Sequence, residues 1–201
     1  VRRLEPLPQT EIELKKLATA LRAPNQDVTI GDAFTETAVR AAKLDDVRVI
    51  AFATHGLLAG ELRGLAEPAL VLTPPTIATP TDDGLLTASE ISQLRLAADW
   101  VVLSACNTAA GDKPGAEGLS GLARAFFFAG ARALLVSHWP VRDDAAARLT
   151  TTAIEILNAN PEIGRAEAYR RSMRSLIDDE SDPTLAHPSS WAPFELVGEG
   201  Q

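Results

Sequence analysis

The sequence predicts a single α/β domain built on a mostly parallel sheet, and three observations carry that expectation. The run Val47-Arg48-Val49-Ile50-Ala51-Phe52-Ala53 is apolar at every position but Arg48 and carries the β-branched Val47, Val49 and Ile50. It is too continuous for a strand with one wet face, so it reads as a buried parallel strand. Two further apolar runs, 100–105 and 132–137, are separated by stretches of helical composition, the alternation expected of parallel strands joined by right-handed crossovers. At 201 residues and 46% hydrophobic, the chain can bury one substantial core, and its length argues for one domain over residues 1–201.

Taken in order, Ile12, Leu14, Leu17 and Leu21 fall on a rough helical period that Pro24 closes, which predicts an amphipathic first helix. A short strand is expected over 27–30, ended by Gly31, and a second helix over 34–44. His55 and Gly56 stand just past the first buried strand. Residues 57–86 differ in character, broken by Pro68, Pro74, Pro75, Pro80 and the turn Asp82-Asp83-Gly84, and 69–73 reads as one strand of a small hairpin. Thr87-Ala88-Ser89-Glu90 has the form of a capping box and opens a helix over 88–94. The strand over 100–105 runs straight into Cys106. Beyond a glycine-rich loop the pattern gives a helix over 117–129, a strand over 132–137, a long helix over 143–158 capped by an Asp, and a helix over 164–177. A polar loop with Pro183 and Pro188 precedes a last strand over 193–197. In open α/β sheets ligands bind beyond the carboxyl ends of the strands, which is where His55 and Cys106 both fall.

Composition narrows the partners. With 19 Lys and Arg against 27 Asp and Glu, the net charge of −8 disfavours nucleic acid or an anionic membrane surface. A lone cysteine forms no intrachain disulfide and no two-cysteine metal site, so no metal or other cofactor is expected, and the reducing cytoplasm is the expected location. The opening Val-Arg-Arg-Leu-Glu-Pro has neither the apolar centre of a signal peptide nor the length of an anchor. A first residue of Val1 rather than Met suggests the C-terminal part of a longer polypeptide.

A thiol becomes a strong nucleophile as its thiolate, and an imidazole beside it can take its proton and later protonate a leaving amine. The N–H groups of Gly56 and Cys106 are candidate donors to the oxyanion that forms when an amide carbonyl is attacked. A solitary cysteine ending an apolar strand is equally at home as one more small core residue, and a histidine after a strand as part of a loop. The joint placement, each residue after a strand end and the two 51 positions apart, leaves room for a crossover and keeps both readings open.

The motifs Phe52-Ala53-Thr54-His55-Gly56, Asp83-Gly84-Leu85-Leu86-Thr87-Ala88-Ser89-Glu90-Ile91, Val101-Val102-Leu103-Ser104-Ala105-Cys106-Asn107-Thr108-Ala109-Ala110-Gly111, Gly118-Leu119-Ser120-Gly121-Leu122-Ala123-Arg124-Ala125-Phe126 and Ser137-His138-Trp139-Pro140-Val141-Arg142-Asp143 resemble the CHAT domain. This is a family of caspase-like cysteine peptidase domains. The ending from His187-Pro188 through Trp191-Ala192-Pro193-Phe194 to Gly198 fits as well. The resemblance implies a caspase-like three-layer α/β/α sandwich and a His-Cys dyad that cleaves peptide bonds in a protein or peptide substrate. Carried over, His55 is the general acid/base, Cys106 the nucleophile, and Gly56 with Cys106 the oxyanion hole. It also implies a helical-repeat region in the same polypeptide, since the family often ends such proteins.

A preference for Arg or Lys before the scissile bond is the expectation for specificity, with Asp143 the first candidate to face that cation and Glu117 and Asp112 behind it. Each has a plainer role to weigh: an Asp opening a helix is usually a cap, and Glu117 suits a helix dipole. His138 is expected at the rim, and His187, Pro188 and Trp191 in the packing of the final turn. The competing reading is an interaction domain of the same fold whose dyad is latent. A nucleotide-binding module ranks last, because no glycine-rich phosphate loop follows an apolar strand.

Overall fold

The computed structural model describes Leu4 and residues 7–104, 121–138 and 142–201. Helix α1 (Pro8–Leu21) starts on a proline, whose missing N–H costs nothing in a first turn, and ends where Arg22 turns left-handed at φ 55°. Helix α2 (Glu36–Ala41) is capped by Thr35, whose hydroxyl accepts the Ala38 N–H. The strands are β1 (Val49–Phe52), β2 (Gly56–Leu57), β3 (Ala69–Val71), β4 (Leu85–Thr87), β5 (Trp100–Leu103), β6 (Ala133–Ser137) and β7 (Phe194–Gly198). Helices α3 (Ala88–Ile91), α4 (Gly121–Ala129), α5 (Asp143–Ala159) and α6 (Gly164–Ile177) complete the set described below.

Four strands form the central sheet in the order β1-β5-β6-β7, with β1, β5 and β6 parallel and β7 antiparallel to β6. Side chains alternate across it. Trp100 and Val102 join Leu17 of α1, Leu149 and Ile154 of α5, and Leu176 of α6 on one face. Val101 and Leu103, with Ile50 and Phe52 of β1, meet Val39 of α2, Ile91 of α3, and Leu122 and Phe126 of α4 on the other. The rings of Phe52 and Phe126 lie 5.5 Å apart between centroids. The result is a mixed α/β sandwich with a mostly parallel central sheet between two helical layers.

The excursion between β1 and β5 builds a separate antiparallel sheet in the order β2-β3-β4. The strand expected over 69–73 is present over Ala69–Val71, and it pairs antiparallel with both β2 and β4, so it is the middle of three strands rather than one of two. The capping box is present: Thr87 accepts the Glu90 N–H, and the Glu90 carboxylate accepts the Thr87 N–H at 2.9 Å.

The structure departs from the sequence pattern in four places. Residues 27–30 form no strand: Val28 (φ −101°, ψ 109°) and Ile30 (φ −137°, ψ 161°) are extended, but no described strand pairs with them. Extended backbone becomes a strand only when a neighbour completes its ladder. The second helix is shorter than 34–44, because Phe34 packs against the core ahead of the Thr35 cap and Ala42 is already extended. The helix expected over 88–94 stops at Ile91. The cap of α5 is Arg142 rather than an Asp, with no side-chain capping bond to the helix backbone; instead its guanidinium forks onto the Asp144 carboxylate in the first turn at 3.0 and 2.7 Å. The end of the 100–105 run, the glycine-rich loop and the start of the 117–129 helix lie outside the described residues.

Candidate functional site

The parallel register of β1 and β5 sets the geometry of the carboxyl edge. Phe52 stands opposite Leu103, and the Ser104 N–H donates to the Phe52 carbonyl at 2.9 Å. His55 follows Phe52 by three residues, and Cys106 follows Leu103 by the same three. Cys106 itself lies outside the described residues, as do Asp112 and Glu117.

His55 is half-buried, and its backbone is clasped by β3. The Val71 N–H donates to the His55 carbonyl at 2.9 Å, and the Thr54 hydroxyl donates to the Val71 carbonyl at 2.5 Å. This pairing continues with Gly56 opposite Leu70 and Leu57 opposite Ala69. In an antiparallel ladder alternate residues face the partner, so the neighbours of Gly56 turn toward β3 and the Gly56 N–H turns away from it. That N–H is available on the side where β2 has no paired strand among the described residues.

Two buried carboxylates brace this edge, and neither was singled out in the sequence. Glu13 on α1 is 3% exposed and accepts the Ser104 hydroxyl at 3.2 Å, two residues ahead of Cys106. Its one sequence signal is a position four residues before Leu17, on the same buried helical stripe. Glu36 is 1% exposed. Its Oε1 accepts the N–H groups of Asp83 and Gly84 at 2.8 Å and of Leu85 at 3.2 Å, and its Oε2 accepts Arg40 at 2.8 Å. Burial pushes the Glu36 carboxyl up, against the Asp83 and Gly84 amides that hold it down. No spacing rule could have found this, since its partners lie some 47 residues away.

Asp143 is the first residue of α5. Beside it, Arg142 is engaged by Asp144, by the Thr184 hydroxyl at 2.7 Å and by Asp182 at 3.6 Å. His138 pairs with Glu195 at 2.7 Å, beyond β6. His187 and Pro188 are exposed, and His187 caps the turn that follows it, its Nδ1 accepting the Ser189 N–H at 3.2 Å, whereas Trp191 packs the final turn as expected, its indole donating to the Ala186 carbonyl at 3.2 Å. Among the described residues, no cluster of His, Cys, Asp or Glu is placed to hold a metal ion, and no helix is long and apolar enough to cross a membrane.

The layered sheet, with His55 just past one strand and the neighbouring parallel strand leading to the single cysteine, defines a domain of the caspase-like class. The chain belongs to the CHAT domain family, whose model matches residues 2–199. It is 35% identical over 123 residues to Tetratricopeptide repeat protein 28 of Mus musculus, and 35% identical over 121 residues to the protein of the same name from Homo sapiens. Each match covers 59% of this chain and 5% of the relative, so the chain aligns with a small part of much longer proteins.

Proposed function

We propose that this domain is a cysteine endopeptidase in which Cys106 attacks a peptide carbonyl and His55 serves as general acid/base. The observation that supports the reading is the β1–β5 register, which pairs Phe52 with Leu103; His55 and Cys106 each follow one of these in sequence by three residues. In the first step the Cys106 sulfur bonds to the carbonyl carbon and its proton passes to His55. The oxyanion then takes hydrogen bonds from the N–H groups of Gly56 and Cys106. As the C–N bond breaks, His55 protonates the departing amine, leaving an acyl-enzyme thioester. Water activated by His55 hydrolyses the thioester and restores the thiol. The substrate is a protein or peptide, cleaved after Arg or Lys, with a carboxylate among Asp143, Glu117 and Asp112 facing the cation. The reaction uses no cofactor and takes place in the cytoplasm, and the same polypeptide carries a helical-repeat region, in keeping with relatives named for tetratricopeptide repeats.

A second reading is a caspase-like interaction domain whose dyad is latent, in keeping with relatives named for their repeats. Labelling with an acyloxymethyl ketone bearing Arg, followed by peptide mapping, separates the two. The peptidase reading expects modification at Cys106 that His55→Ala abolishes. Labelling indifferent to His55 rejects it and leaves the scaffold.

A further inference from the structure

At the amino-terminal edge of the parallel strands, away from His55, a row of ionised side chains forms one chain of pairs. Arg48 pairs with Asp99 at 2.6 Å, Arg132 with Asp99 at 3.1 Å and with Glu199 at 2.6 Å, and Arg165 faces Glu199 at 3.8 Å. Three guanidinium groups thus share two carboxylates. Arg48, Arg132 and Glu199 are more than half exposed, where water screens their charges. Arg165 is 8% exposed and stands in the first turn of α6, where the helix dipole disfavours a cation. Its Nε donates to the Glu199 carbonyl at 3.0 Å, but its Nη2 is buried with no hydrogen-bond acceptor among the described residues.

A second orphan donor lines the same cavity. Trp100, the first residue of β5, is 1% exposed, and its indole N–H likewise has no acceptor among the described residues. A buried donor left unpaired costs free energy, and a buried charge costs more. The cavity that Trp100 and Arg165 line measures about 570 Å³, within the roughly 300–1,000 Å³ of small-molecule sites. Leu21 of α1, Val49 of β1, and Ile154 and Leu157 of α5 give it an aliphatic wall. Two acids line it as well. Asp99 is taken up by Arg48 and Arg132, and Asp27 is in no ion pair among the described residues.

We propose that this cavity binds a small organic monocarboxylate with an apolar body. Its carboxylate accepts the Arg165 Nη2–H and the Trp100 indole N–H, and its body lies against the aliphatic wall. One negative charge matches the third guanidinium. A doubly charged phosphate suits the site less, because Asp27 and Asp99 repel the additional charge. A neutral carbonyl would satisfy Trp100 and leave the buried Arg165 charge uncompensated. The site lies at the opposite end of β5 from the segment that leads to Cys106, and it does not rest on the peptidase reading.

Octanoate is the probe, with heteronuclear NMR of the assigned Trp100 indole N–H as the readout. Octanol supplies the same apolar body without the charge, and inorganic phosphate the charge without the body. Octanoate is expected to move the Trp100 indole resonance downfield and saturably, with octanol binding at least roughly tenfold more weakly. Phosphate is expected to leave that resonance in place. Arg165→Met keeps an aliphatic stem and should weaken octanoate by roughly tenfold or more while leaving octanol unchanged. No saturable octanoate shift at Trp100 overturns the proposal, as does octanol that binds as tightly as octanoate or phosphate that displaces it. If Arg165→Met does not fold, the comparison of octanoate with octanol on the unaltered chain still decides.

Discussion

Glu36 offers the sharpest test of how the site region is held. Its Oε1 is the acceptor for the amides of Asp83, Gly84 and Leu85, of which the Gly84 N–H is buried and the other two are partly so. Leu85 keeps a second acceptor, the Asp83 carboxylate at 2.9 Å, when Glu36 is lost. Glu36→Ala therefore orphans one buried and one partly buried amide, at about 1–3 kcal/mol for the first and less for the second, a total of about 2–4 kcal/mol. Glu36→Gln keeps the acceptor oxygen and removes a charge that burial disfavours, while Arg40 retains Glu90 at 2.8 Å. Its cost should stay within about 1 kcal/mol. Urea unfolding of the wild type and both variants at pH 7 measures the differences. If Gln costs as much as Ala, charge pairing with Arg40 matters more than the acceptor, and the reasoning fails. It fails equally if Ala lies within about 0.5 kcal/mol of the wild type.

Gly84 sits at φ +89°, and a Cβ there would come within 2.7 Å of Pro74 Cβ and 2.9 Å of its Cα. Gly84→Ala should destabilise by about 2–4 kcal/mol in urea, and less than additively with Glu36→Ala because both changes act on one turn. Arg170 and Arg171 hold the exposed Glu167 carboxyl at about 2, below its ordinary 4.5. A depressed folded-state value contributes stability above pH 4.5 that is lost as pH falls toward 2, so the thermal midpoints of wild type and Glu167→Gln should converge over that window and stay parallel above pH 5. If Asp143 faces a substrate cation, Asp143→Ala should lower kcat/KM for Arg peptides tenfold or more, roughly 1.4 kcal/mol, and leave neutral peptides unchanged. Equal losses on both would make it a structural residue of α5.

What could be read from the sequence divides along a physical line. Strands β1, β5 and β6 were legible because strands buried on both faces are apolar without interruption, and the Thr87–Glu90 box because its partners are three residues apart. Long helices such as α6 were legible from their period. Segment 27–30 has a strand's composition but no described partner, since a strand is a property of two segments and propensity describes one. The α5 cap was misread because a carboxylate in a first turn satisfies the helix dipole as well from the second position as from the cap. Glu13 and Glu36 were invisible because their donors lie 91 and 47 residues away.

Those two carboxylates also explain why an apolar sheet can hold a polar site at its edge. The core clusters fix the strands, but van der Waals packing is non-directional and tolerates small slides at a strand end, where the ladder stops. Beyond that point only hydrogen bonds can set where the chain goes. From the α1 face, Glu13 takes the Ser104 hydroxyl, just ahead of Cys106. From the α2 face, Glu36 fastens the turn that begins β4; β4 pairs with β3, and β3 clasps the His55 carbonyl. Each of the two segments that lead to the proposed dyad is thus tied to a different helix by a buried acceptor. Moving either helix would therefore act on one of these two segments and not on the other.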